Sequence, residues 1–138
     1  MKKLIMSLVI MLCISNVMAA ELSCKRALYN ADQPWVGDSY TDQFPGEAIQ
    51  TTMRFNKDAT EMWTQDPVDQ QWIDIPVTVT CWSSTEFTLK DNFQKNPPPV
   101  RIYMDGSVTN NTFSFKGIKT YDAKTYGMSG VLHRNIYN

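Results

Sequence analysis

From residue 49 onward the chain alternates apolar and polar positions with a period of two, the spacing of strands with one buried face. Ile49, Thr51, Met53 and Phe55 fall on one face, with Gln50, Thr52, Arg54 and Asn56 on the other. Asn56-Lys57-Asp58-Ala59 is turn chemistry, so residues 60–64, carrying Met62 and Trp63, are expected to return as a partner strand that Asp66-Pro67 ends. The clearest alternation spans residues 71–83, where Ile73, Ile75, Val77, Val79 and Cys81 interleave with Trp72, Asp74, Pro76, Thr78, Thr80 and Trp82. β-Branched residues dominate it, which favours strand over helix. Pro76 cannot donate to a ladder, and a bend between two shorter strands is expected there.

Residues 86–90 alternate around Phe87 and Leu89, and residues 91–99 form a polar connection ending in three prolines, expected to be extended. Val100, Ile102 and Met104 then alternate with Arg101, Tyr103 and Asp105. Asp105-Gly106 predicts a tight turn, with residues 107–109 as a return strand. Asn110-Asn111 turns again before Phe113 and Phe115. Lys116, Lys119 and Lys124, interleaved with Tyr121 and Tyr126, read as a solvated loop, and a last strand is expected over residues 126–135. Roughly eight short strands joined by turns predict an all-β fold: an antiparallel meander closed into a small barrel, with a β-sandwich as the alternative. Ahead of them, Cys24, Ala27, Leu28 and Ala31 fit a short helix that residues 30–34 would end, while a first strand fits Leu22, Cys24 and Leu28 nearly as well.

Two stretches carry a resemblance. Trp35-Val36-Gly37-Asp38-Ser39-Tyr40 resembles the W-x-G-x-Y opening of lipocalin-like barrels, and residues 53–63 are similar to the F-x-x-D-G-T…W first hairpin of secreted bacterial lipocalin-like domains. Ala59 stands where that hairpin usually has glycine. The resemblance implies an antiparallel barrel with an apolar interior able to take one small ligand, and it carries over no catalytic residues.

The first twenty residues read as a secretory signal: Lys2 and Lys3, then an apolar run over residues 4–14, then small residues at 17–20. The run is too short for a membrane span, which needs roughly 20 residues. Two regions follow, a signal at 1–20 and a single domain at 21–138, with the mature protein expected in the periplasm or outside the cell and not spanning the membrane. Export leaves Cys24 and Cys81 as an even pair where disulfides persist. Loop entropy assigns such a bridge about 4 kcal/mol of stabilisation.

Composition narrows the function. With 13 basic and 14 acidic residues in 138, the chain is too nearly neutral for an electrostatically driven nucleic-acid binder. His133 is the sole histidine, and Ser129 lies four residues from it, on the same face of a strand but about 13 Å away. The acids Asp58, Glu61, Asp66, Asp69 and Asp74 lack the spacing and glycine bend of a calcium loop. Neither a metal site, a cofactor nor an enzymatic activity is expected.

The large apolar residues remain. One reading is an exported, non-catalytic barrel that binds a small apolar or aromatic ligand, with Trp72, Trp82, Ile73, Ile75, Val79, Phe87 and Ile102 as candidate site residues and a cavity of roughly 300 Å³ or more. The alternative is an exported protein–protein module (an inhibitor, an immunity protein or an envelope-complex subunit). That reading expects a filled barrel and an exposed aromatic patch around Trp72, Trp82 or the loop at 93–99.

Overall fold

A computed structural model describes residues 19, 23–29, 33–66 and 69–134. All of the segment read as an export signal except Ala19 lies outside the described residues. Eight strands follow one another as β1 (Trp35–Thr41), β2 (Ile49–Phe55), β3 (Glu61–Gln65), β4 (Trp72–Cys81), β5 (Glu86–Asp91), β6 (Arg101–Val108), β7 (Thr112–Tyr121) and β8 (Lys124–Arg134). Each pairs antiparallel with the next, and β8 pairs back onto β1, from Trp35 opposite Arg134 to Thr41 opposite Met128, closing the barrel.

The first hairpin forms without its usual glycine. Ala59 takes the left-handed conformation itself, at φ 54°. Asn56 holds the turn by accepting the amides of Thr60 and Glu61 at 2.8 and 2.9 Å. Its amide group also donates to the Thr60 hydroxyl at 2.8 Å.

Pro76 does not divide β4. The strand runs unbroken through it, pairing with β3 up to Pro76 and with β5 from Val77 onward. The Pro76 carbonyl accepts from the Asn92 amide, just past the last residue of β5. The missing N–H therefore faces the side where the β5 ladder ends, so only the last bond of that ladder is forgone and pairing with β3 is untouched.

The expected turn at Asp105-Gly106 is also replaced by strand. β6 runs straight through it, and the hairpin falls at residues 109–111 instead. Gly106 is there for a different reason: a Cβ at this position would lie 2.6 Å from Cζ of Phe87. Gly130 makes the same allowance for Phe115, at 2.7 Å from Cε1. The lysine-rich stretch expected as a loop is the β7–β8 hairpin, turned by Asp122 and Ala123, both at positive φ. Its alternation puts Lys116 outside the barrel and Lys119 inside.

The inward faces fill one half of the barrel with aromatic rings. Phe113 is their hub, with centroids 5.5–5.8 Å from Trp35, Phe55, Phe87 and Phe115. Residues 23–28 form a short helix across this end. Its Cys24 and Leu28 are fully buried, and Cys24 is bridged to Cys81 at the end of β4. Trp35 Nε1 donates to the Leu28 carbonyl at 3.1 Å. At the opposite end the inward residues Ile49, Thr64, Ile102, Lys119, Tyr126 and Met128 are only half-buried, and Phe93 and Val100 of the 92–100 connection fold against the core.

Candidate functional site

Outward positions follow from the same register. Across five strands, Glu86 lies opposite Ser107, Ser107 opposite Ser114, Ser114 opposite Val131, and Val131 opposite Asp38. The next row runs Thr88, Asp105, Lys116, Ser129, Tyr40. Ser107 and Ser114 occupy the middle of the first row and Asp105 and Lys116 that of the second, while Glu86 and Tyr40 stand at the flanks. The result is an open trough of ≈ 1090 Å³ on the outside of the barrel. Trp82 and Glu86 border one flank, Tyr40, Val131 and His133 the other.

Trp82 sits in the β4–β5 turn, where its amide donates to the Glu86 carbonyl at 2.8 Å. Its indole is 70% exposed. The indole Nε1 donates to the Thr88 hydroxyl at 2.7 Å, which in turn donates to Asp105 Oδ1 at 2.9 Å. An exposed ring is held in one orientation by a chain of polar groups on two strands. The hydroxyls of Ser107, Ser114 and Ser129 and the Lys116 ammonium make no side-chain hydrogen bond to a described residue. Three carboxylates, Asp38, Glu86 and Asp105, face one lysine here.

The seven candidate residues from the sequence separate into three places. Ile75, Val79 and Phe87 expose 2%, 6% and 1% of their surface and belong to the core, with Phe87 also lining the trough from beneath. Ile73 and Ile102 face inward at the open end. Trp72 and Trp82 are outside, on different parts of the wall, with Trp72 46% exposed and the Arg54 guanidinium 5.8 Å from its ring centroid. The structure brings Ser107, Ser114, Ser129, Asp105, Lys116 and Tyr40 onto one outer wall with Trp82, none of which the sequence singled out together. The outward period-two positions were the available signal. The misplaced turn at Asp105-Gly106 hid it, because it assigned Ser107 to the wrong strand.

At the open end, burial lowers the pKa of Lys119, while the negative charge of Asp66 acts in the opposite direction. Asp91, also buried, accepts from the Ile102 amide at 2.7 Å and from Arg101 Nη1 at 3.0 Å. Among the described residues, no group of three histidine, cysteine or carboxylate side chains could hold a metal ion, and no helix is long and apolar enough to cross a membrane. No protein-family model, curated protein or solved structure matches the chain.

Proposed function

We propose that this protein is an exported, non-catalytic binding barrel that takes its ligand on the outer wall formed by β5–β8 and β1. The observation that carries the reading is Trp82: a large exposed ring, oriented through Thr88 and Asp105, at the edge of a trough. An exposed tryptophan held in one rotamer loses little freedom on binding, which is what makes such a residue an efficient contact. The aromatic packing around Phe113 favours a site outside the barrel over one deep within it. The lipocalin-like motifs support a binding role in general, and the signal-like leader together with the Cys24–Cys81 bridge supports export. The non-catalytic reading draws on His133, whose imidazole makes no hydrogen bond to a described residue.

A second reading is an envelope or secreted protein as partner. It rests on a separate surface, where Arg54 lies over Trp72 and is register-paired with Trp63, since tryptophan and arginine dominate protein-interface energetics. Retention of material from an envelope or culture-supernatant extract on the immobilised protein separates the two. Loss of retention in Trp82→Ala but not in Trp72→Ala supports the outer-trough reading. Loss only in Trp72→Ala supports the partner-protein reading instead.

A further inference from the structure

We infer that the trough is a saccharide site, taking a neutral or amino-bearing oligosaccharide laid across the strands; the inference rests on the reading that the ligand binds the outer wall. Trp82 and Tyr40, 70% and 49% exposed, stand on opposite flanks of the trough. Flat rings at the edges of a floor that mixes apolar surface with polar groups suit a sugar, whose pyranose ring presents an apolar C–H face and a polar rim. The apolar face packs on aromatic carbon much as other apolar groups do.

The floor supplies the complementary polar groups. Ser107, Ser114 and Ser129 each offer a hydroxyl that both donates and accepts, Lys116 donates only, and Glu86 accepts only. Asp105 has committed Oδ1 to Thr88. A sugar hydroxyl also both donates and accepts, so a run of vicinal hydroxyls can be matched by this mixture. A ligand of purely apolar character would leave these groups facing it without partners, which is costly.

Charge and composition exclude the competing classes. Asp38, Glu86 and Asp105 against Lys116 give the trough a negative excess that repels nucleic acids and polyanionic glycans. Protein interfaces are depleted in serine, aspartate, glutamate and lysine at their cores, and those residue types supply seven of the sixteen residues around this trough. The trough is also open across the strands, so it accommodates a chain of sugar units.

The test is a titration of the ¹⁵N-labelled, disulfide-bonded protein with four tetrasaccharides, chitotetraose, its de-acetylated form, maltotetraose and mannotetraose, with tetragalacturonate as the polyanionic control. Saturable shifts are expected for at least one of the four, confined to amides around Trp82, Ser114, Lys116 and Ser129, with a Kd below about 1 mM. Trp82→Ala should weaken that binding at least tenfold and Trp82→Phe less, while Trp72→Ala leaves it unchanged. Ser129→Lys, which fills the floor without removing a ring, should also weaken it, so the result does not depend on one variant folding. Absence of trough shifts with all four sugars, tetragalacturonate binding as well as the best of them, or binding that survives both Trp82→Ala and Ser129→Lys overturns the inference. If the sugars fail but envelope material is still retained through Trp82, the saccharide assignment falls and the outer-wall reading stands. If neither is retained, both fall.

Discussion

The guanidinium of Arg134 lies 4.5 Å from the centroid of the Trp35 ring, and the two side chains divide three successive carbonyls between them. Arg134 Nη2 donates to Ala27 at 2.7 Å and Nη1 to Tyr29 at 3.2 Å, while Trp35 Nε1 takes Leu28 at 3.1 Å. These carbonyls belong to the last two residues of the helix at 23–28 and to the residue after it, the end of a helix whose carbonyls lack intrahelical partners. A third donor group on Arg134, Nε, bonds the Asn110 carbonyl at 2.6 Å, so the side chain ties the helix, the β6–β7 turn and the end of β8 together. Burial lowers its pKa from the ordinary arginine value, so the charge is held against a desolvation cost that these bonds offset.

Arg134→Ala should therefore destabilise the fold by about 2–3 kcal/mol, combining lost charged hydrogen bonds with lost ring contact. Arg134→Lys should recover less than half, because an ammonium cannot reproduce the planar fork. Urea denaturation followed by tryptophan fluorescence gives the difference. A loss under about 0.5 kcal/mol for Arg134→Ala would show the clamp to be dispensable.

Gly106→Ala places a methyl 2.6 Å from the Phe87 ring and 2.7 Å from the Ser114 carbonyl. Overpacking of this kind should cost about 1–3 kcal/mol. Phe87→Leu in the same chain should relieve part of it, so the double variant should be more stable than the sum of the single effects predicts. Strict additivity in thermal unfolding would mean that the clash is not with the ring.

Lys119 predicts a pH dependence of defined sign. Its folded-state pKa is lowered from the usual 10.5, chiefly by burial. Between the folded value and 10.5 the native state has released a proton that the unfolded chain keeps, so stability should rise with pH through that window and be flat below it. Lys119→Met should abolish the rise and add less than about 1 kcal/mol at pH 7, a small gain because the side chain is half in water. Urea midpoints measured from pH 7 to 10.5 decide it. A falling midpoint would contradict the burial argument.

Legibility in the sequence followed the reach of each signal. β2 and the end of β4 could be read because Ile49 to Phe55 and Val77 to Cys81 alternate between core and surface without interruption. Cys24 and Leu28, four residues apart, fitted a helix face and a strand face nearly alike, and burial of both under the helix at 23–28 decides between them. Pro76 and Asp105-Gly106 misled because each is locally a bend or turn signal. What decided their conformation was non-local: the end of the β5 ladder beside Pro76, and the Phe87 ring over Gly106. The trough was illegible for a related reason. Ser107, Ser114 and Ser129 are ordinary surface serines until the register sets them side by side.

The β1–β8 seam has a kinetic meaning as well as a structural one. Seven of the eight strand pairings join neighbours in the chain and can form by successive hairpin addition, whereas Trp35 must find Arg134 across nearly the whole domain. Until that closure the sheet is a ribbon with two bare edges, each able to recruit another chain. This step closes the longest loop of the eight pairings and carries the largest single closure entropy, which makes it the natural bottleneck of folding. Trp35 and Arg134 both sit on the strands that meet there, so the contact that caps the helix is also one that only the closed barrel can make.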